Sequence, residues 1–567
     1  MTCSKIFSGD LPELINEIIQ YFRHDYKTLH SCVLVNRLWC RLAIPLLWED
    51  PFSIKFPKNY HFIEIYLHNL NDDDKTKLNE YGINKDIFPS NTLFNYSSLI
   101  QHLDTRKISY SIENWEASIR NSTTKTIKSQ HSNNPIQNIL QMSVFIKLIY
   151  KSLFQTFIEN EANLFNLEVS QYSHQRSEYF DDAFKLILQN PNFLRNIKNL
   201  KLDFYISSEN TTKFLEFLDS NCNSISSLHL LFPSYNNNLP MTEKALSQII
   251  NSQVNLKKIL LGFNNFPLYH SLLSLKNSNC SNTLNVIVFY HIDFRNIVVL
   301  NEVFNQLNVL ESIHLIYCLS INAKFLQQII NLTKPFKLKS LLLNKILEIE
   351  SLELLIQKFG NHIENFGINA KSYPQQLVNL LELAMKHCYK IKFLHLPVGL
   401  NNQNIDLVFN LIGNITQNLN HLFIDAINND YFTYNEIDNK IELSSILLQN
   451  LGQILPLKLE YLDLGLAIDG NDLEIFLKNS QNTFIKKLLI RNKRREEDDD
   501  IFPYIKDYII KKKRVKYLSI IETFHENSKD LFSLKDKVKE CELYGIQVLY
   551  YRDLYININC FIKETYL

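Results

Sequence analysis

At 567 residues, with 46% hydrophobic and 21% charged content, the chain has the composition of a folded protein but is too long for one ordinary core. It requires several domains or a repeat array. Lys+Arg and Asp+Glu both number 59, and this zero formal charge offers no general attraction to nucleic acid or an anionic membrane. The 11 glycines argue against Gly-rich phosphate loops, and nine scattered cysteines without a C-x-x-C pair read as buried thiols in a reducing compartment.

The first predicted elements are three helices within residues 1–52. Asp10 is placed to cap a helix opening on Pro12 and Glu13, with Leu14, Ile15, Ile18, Ile19 and Phe22 as its apolar side. A second helix runs from Thr28 to Val35 and is interrupted by Asn36; a third carries Leu38, Trp39 and Leu42 and is expected to end at Pro45. About forty residues cannot bury all this apolar surface internally. Part of it must meet the rest of the chain or another protein.

No apolar signal core precedes Ser8-Gly9-Asp10. The most apolar long window, 139–157, is broken by Gln141, Lys147, Lys151 and Gln155 and does not read as a membrane span. The cytoplasm is therefore expected, or the nucleus if the basic clusters 491–495 and 511–514 act as import signals. The bland reading of the first cluster is a solvated loop, neutralised by the acidic run 496–500. Residues 53–160 read as a mostly helical connector, with helical patterns at 62–70, 93–103 and 135–161 and a polar, mobile loop at 109–137.

From residue 161 to the end the sequence repeats. The pattern L-x-x-L-x-L, with aliphatic or Phe replacements, begins at Leu164 and returns at 197, 225, 256, 284, 310, 338, 363, 391, 419, 459, 485, 515 and 543. Several intervals, such as 197 to 225 and 363 to 391 to 419, equal 28 residues; the interval from 419 to 459 is 40. Amphipathic helical segments lie between, for example Phe325-Leu326-x-x-Ile329-Ile330. A strand and a helix every 28 residues is the leucine-rich-repeat signature, in which stacking supplies the core that no single unit can form. The Asn or Cys expected after the L-x-L core is rare, with Asn264 and Cys318 the clear instances.

No G-x-S-x-G, H-E-x-x-H, P-loop or G-x-G-x-x-G is present, so no catalytic residue, metal ligand or cofactor is assigned. His24 and His30 have the wrong spacing for ligands on one helix face.

The N-terminal module resembles the F-box. Leu11-Pro12 opens it as the family motif does, Ser31-Cys32-x-Leu34-Val35-Asn36-x-x-Trp39 follows the central segment, and Pro45-x-Leu47-Trp48 is similar to the large fungal F-box families. The resemblance implies a Skp-type adaptor as partner and, through it, a cullin-RING ubiquitin ligase. It also implies that Leu11, Pro12, Ile15, Leu34, Val35 and Trp39 form or support the adaptor face. The expected fold is α/β: a three-helix F-box module, a helical connector, and a curved leucine-rich-repeat solenoid with parallel strands inside and helices outside. The expected role is that of a non-enzymatic substrate receptor of an SCF-type ligase, with an unknown protein target. The alternatives are a repeat-protein scaffold unconnected with ubiquitin, and an enzyme whose site is not local in sequence.

In each strand the residues between the buried positions would line the concave face. That places Lys201, His229, His314, His395, Phe423, Asp463 and Gln547 in one row, and Lys257, Glu311, Lys339, Glu364, Lys392 and Glu460 in a second. Target-binding candidates are His229, His314, His395, Phe423 and Asp463, joined by Tyr431, Phe432 and Tyr434 in the extra loop 428–440 of the 40-residue interval.

Overall fold

The structure is a computed structural model. It describes residues 12–54, 57, 59–70, 72–80, 83, 87–123, 135–171, 174–204, 209–232, 239–263, 268–334, 336–344, 346, 348–368, 374–396, 400–402, 404–427, 434–493, 500–524 and 527–567. The chain divides into two compact units, residues 1–259 with 265–283, and residues 260–264 with 284–567. Both are mixed α/β with mostly parallel strands.

The first unit opens with three helices: α1 (Pro12–Tyr21), α2 (Tyr26–Val33) and α3 (Arg37–Trp48). Asp25 caps α2, its carboxylate accepting from the Thr28 amide at 3.1 Å, and Asn36 caps α3 by accepting from the Trp39 amide at 3.0 Å. The expected cap Asp10 lies outside the described residues. Ile15, Ile19, Leu29, Cys32, Trp39, Ala43, Leu46 and Leu47 form a core of the module's own. Pro45 does not end α3, as the sequence suggested; the helix runs through it to Trp48. Proline forfeits one amide bond there, but Ile44, Leu46 and Leu47 are all buried, and that packing holds the last turn.

Part of the apolar excess is covered by the connector. Trp48 meets the rings of Tyr66 at 5.4 Å and Tyr96 at 4.1 Å, and Phe52 meets Phe157 at 6.4 Å. Half of the expected mobile loop is helix instead: Thr105–Thr123 is α-helical, because Ile108, Ile112 and Trp115 recur at helical spacing and are wholly buried. The indole of Trp115 donates to Glu64 at 2.9 Å. Residues 124–134 lie outside the described residues.

The parallel ladder also starts earlier than residue 161. Strand β1 (His102–Asp104), inside the expected connector, pairs with β2 (Asn166–Gln171), followed by β3 (Asn199–Phe204) and β4 (Ser227–Phe232). Leu167, Leu200 and Leu228 stand in register, as do Val169, Leu202 and Leu230, which is the phase read from the sequence. The main-chain carbonyl of Glu49 accepts from the amides of Gln101 and His102 at 3.0 and 3.1 Å. Its carboxylate takes a two-pronged pair from Arg23 at 2.6 and 2.7 Å. One residue, at the end of α3, thus ties the turn after α1 to the first strand. Strand β5 (Lys258–Phe263) carries the boundary between the units.

The second unit contains β6 (Val286–Tyr290), β7 (Ser312–Ile316), β8 (Lys337–Leu343), β9 (Asn365–Ile368), β10 (Phe393–Leu396), β11 (His421–Asp425), β12 (Lys458–Leu466), β13 (Phe484–Lys493) and β14 (Val515–Phe524), parallel and in chain order. Crossovers join these parallel strands, and the intervening helices pack on one another along one side, as Ile349–Phe359 does on Pro374–His387. We call the other side the front. Polar side chains tie repeat to repeat: the Cys318 thiol donates to the Phe289 carbonyl at 3.4 Å, and the Asn492 side chain accepts from the Ile468 amide at 2.9 Å. Asn264 lies outside the described residues.

The last expected repeat is not one. Strand β15 (Asn527–Asp530) runs antiparallel against the end of β14, and β16 (Gln547–Val548) runs parallel against its start. Val548 pairs with Leu518, two residues out of the sequence phase, and Leu543 is 84% exposed. The cause is the turn at Gly545, whose φ of +80° follows the helix Lys535–Leu543. The 40-residue interval holds a 21-residue helix, Tyr434–Ile454, so the second half of the expected loop is helical. Among the described residues no helix is long and apolar enough to cross a membrane.

Candidate functional site

Two surfaces hold the residues singled out from the sequence. On the N-terminal module, Leu34 and Val35 follow α2 in the turn to α3 and are 77% and 48% exposed. Pro12 is exposed at the start of α1. Ile15 and Trp39 are buried core residues behind them, and Leu11 lies outside the described residues. Leu14, Tyr21 and Tyr26 are also exposed and were missed. Leu14 and Tyr21 are seven residues apart on α1, a spacing that puts them on one face and could have flagged them.

On the front of the first unit, Lys201 sits between Glu168 and His229 in register and forms an ion pair with Glu168. Ser227 and His229 share a hydrogen bond at 3.1 Å, and Asn199 donates to Asn166 at 2.5 Å. This face is polar and half-buried.

The front of the second unit is arranged differently from the expected row. His314 pairs in register with Ser340, then Asn365, Phe393, His421 and Tyr461. The row containing His395, Phe423 and Asp463 instead continues through Gly367 and Leu342 to Ile316. The pairing of β7 with β8 accounts for it: His314 meets Ser340, two residues short of the Leu342 that the sequence phase gives, and Lys339 is an extra residue where the ladder steps from Ile313–Leu338 to His314–Ser340. Gln547 likewise aligns with Tyr517, not with the Asp463 row. The second row does pair charge with charge: Glu364 bridges Lys392 at 3.0 Å and Lys339 at 3.8 Å, and Glu460 meets Lys486 at 2.7 Å.

A polar cluster closes one end of this face. Asp463 is 1% exposed, and Arg491 reaches it at 3.6 Å while pairing with Asp425 at 3.1 Å. Arg491 therefore belongs to a strand, not to a solvated loop. Gly465 leaves room for the pair, since a Cβ there would come within 2.8 Å of Asp425 and 2.9 Å of Arg491. Burial pushes the carboxyls of Asp463 and Asp425 up despite the cation, and the two carboxylates hold the guanidinium charged against its own desolvation. Phe393, Phe423, His421 and Tyr461 form an aromatic patch beside it, with Phe423 and Tyr461 centroids 4.6 Å apart.

The C-terminal segment lies on these residues. The Tyr551 hydroxyl donates to Asp463 at 2.6 Å, with the Arg491 guanidinium 5.5 Å from its ring centre. The Ile556 amide donates to the Tyr461 hydroxyl at 3.3 Å. Phe561 meets Phe393 at 4.9 Å and His421 at 4.8 Å. Tyr566 stands 4.3 Å from the His314 ring, and its hydroxyl donates to Glu364 at 3.0 Å and accepts from Asn365 at 3.1 Å. Burial lowers His314 to about 3, and His395 and His421 to about 4. All three imidazoles are neutral near pH 7. No local sequence signal revealed this segment as an occupant of the face.

Tyr431 and Phe432 lie outside the described residues, as does the side chain of Tyr434. In the basic run 511–514, Arg514 is not a solvent-facing charge; it is 6% exposed and donates to the carbonyls of Thr483 at 3.3 Å and Leu477 at 3.1 Å. Among the described residues no group of three or more His, Cys, Asp or Glu side chains could hold a metal ion. No protein-family model matches this sequence, and no curated protein matches it.

Proposed function

We propose that the chain is a substrate receptor of an SCF-type ubiquitin ligase. The N-terminal module, read as an F-box, binds a Skp-type adaptor, and the strand-and-helix repeats, read as a leucine-rich-repeat solenoid, hold a target protein. The observation that carries this reading is the module itself. It has its own apolar core, yet Leu34, Val35, Leu14, Tyr21 and Tyr26 remain exposed once the connector has covered Trp48 and Phe52. Apolar side chains left in water on so small a module suit a partner surface. The chain's part would be positioning, raising the target's local concentration at a ligase whose other subunits carry the reactive chemistry.

Co-purification with a Skp-type adaptor tests the reading. The intact chain is expected to form a stable complex, and Leu34→Glu with Val35→Glu to weaken it at least about tenfold by placing charges in a desolvated contact. Both side chains are largely exposed, so the repeats keep their fold. No adaptor binding by the intact chain would sink the receptor hypothesis and leave a scaffold unconnected with ubiquitin.

A further inference from the structure

We propose that the front of β7–β13 is a receptor for a short protein helix with an apolar stripe between two phenols, and that residues 551–567 hold it closed until a target segment of the same chemistry displaces them. The inference rests on the target-binding half of the proposed function; adaptor binding does not enter it.

The first support is the seating of the segment. Its helices Tyr551–Leu554 and Ile558–Tyr566 cross the strands from β13 back toward β7, against chain order. One phenol is read by Asp463 and the other by Glu364 and Asn365. Between them Leu554, Ile558 and Ile562 are buried and Phe561 stacks on the aromatic patch. Two fixed polar sockets flanking an apolar strip give both register and direction to a bound helix, which is how helix-in-groove recognition works.

The second support is the composition of what lies underneath. A lid that never opens would sit best on an apolar floor, because burying polar groups costs free energy that hydrogen bonds only partly return. Here the floor is mixed: beside the aromatic patch of Phe393 and Phe423 it includes His314, Asn365 and Asp463, all below 3% exposed. The helix-facing strand positions beside them, such as Ile313, Leu341, Phe366 and Leu462, are apolar. The polar part of this floor can stand in water when uncovered, while the aromatic patch gives an apolar strip something to bind. The segment has one face on the strands and one in water: Arg552, Tyr555, Asn557, Cys560, Glu564 and Thr565 are exposed.

The test uses a fluorescein-labelled synthetic peptide of residues 551–567, titrated by anisotropy into three proteins. These are the full chain, a chain ending at Tyr550, and a full chain carrying Tyr551→Phe, Phe561→Ala and Tyr566→Phe. The expected result is saturable binding to the shortened chain, competed by unlabelled peptide, and at least about tenfold weaker binding to the full chain because its own segment competes. The triple variant should bind more tightly than the full chain. A folded shortened chain that ignores the peptide would overturn the proposal. If the shortened chain does not fold, a triple variant that binds no better than the full chain makes the segment a permanent cap, and the proposal fails. Adaptor capture is scored on the same samples. Its loss with peptide binding retained rejects the ligase reading alone; peptide failure with adaptor capture retained rejects this inference alone.

Discussion

The hydroxyl of Tyr551 donates to the carboxylate of Asp463 at 2.6 Å, joining positions 88 residues apart and fixing the start of the C-terminal segment on the front of β12. Asp463 is 1% exposed, and its other hydroxyl donor, Tyr461, is 3.4 Å away. Tyr551→Phe removes the shorter bond without changing shape, at an expected cost of about 1–3 kcal/mol. The segment should detach more often, so trypsin should cut after the exposed Arg552 several times faster than in the parent. An unchanged cleavage rate would show that this bond does not anchor the segment.

Arg491 lies within ion-pair distance of both Asp425 and Asp463. Arg491→Leu leaves two desolvated carboxylates facing each other and is expected to destabilise the second unit by about 3–5 kcal/mol. Adding Asp425→Asn and Asp463→Asn removes the uncompensated charge and should restore much of the loss. Urea unfolding of the single and triple variants measures the difference. Equal destabilisation in both would mean that the guanidinium acts through packing rather than charge.

The repeat was legible because each unit repeats the same local requirement. Leu200, Leu228, Leu422, Leu462 and Leu488 are buried in the register that their spacing gave. The module's caps were legible for the same reason, since Asn36 acts on the helix immediately after it. What failed needed either an insertion or a distant contact. Between β7 and β8 the ladder is two residues out of the sequence phase, which puts His314 in another row, and the extra residue there, Lys339, looks like any other strand lysine in sequence. The sockets for Tyr551 and Tyr566 lie 88 and 202 residues away, beyond the reach of any periodic pattern. Strand β1 was missed because three residues are too few to show alternation.

The histidines under the segment set a pH dependence. An unfolded imidazole takes its proton near 6.5, whereas folded His421 resists until about 4 and His314 until about 3. His421 is surrounded by Phe393, Tyr461 and Phe561, with Glu460, Lys486 and Lys487 nearby; His314 faces the Ser340 hydroxyl, the Tyr566 ring and Lys339. Between pH 6.5 and about 4 the unfolded state therefore binds more protons, and stability falls as pH falls. The raised carboxyls of Asp425 and Asp463 give the opposite slope, so the imidazole effect is read by difference. His421→Gln should flatten the fall of the melting midpoint between pH 7 and 4.5. Parallel curves for parent and variant would remove His421 as a source.

Leu462 and Leu543 separate the observed fold from the bare repeat phase. The phase gives both the same role, as apolar positions of an L-x-x-L-x-L unit. In the structure Leu462 is fully buried between Leu422 and Leu488, while Leu543 ends a helix and is 84% exposed. Leu462→Asp puts an unpaired carboxylate between two strands and is expected to cost more than about 4 kcal/mol, enough to break the stack around β12. Leu543→Asp removes apolar surface already in water and should stay within about 0.5 kcal/mol of the parent. Thermal melting and resistance to protease measure both. Similar large losses would return residues 543–548 to a regular repeat and move β16 by two residues against β14; similar small losses would mean that Leu462 does not face the core.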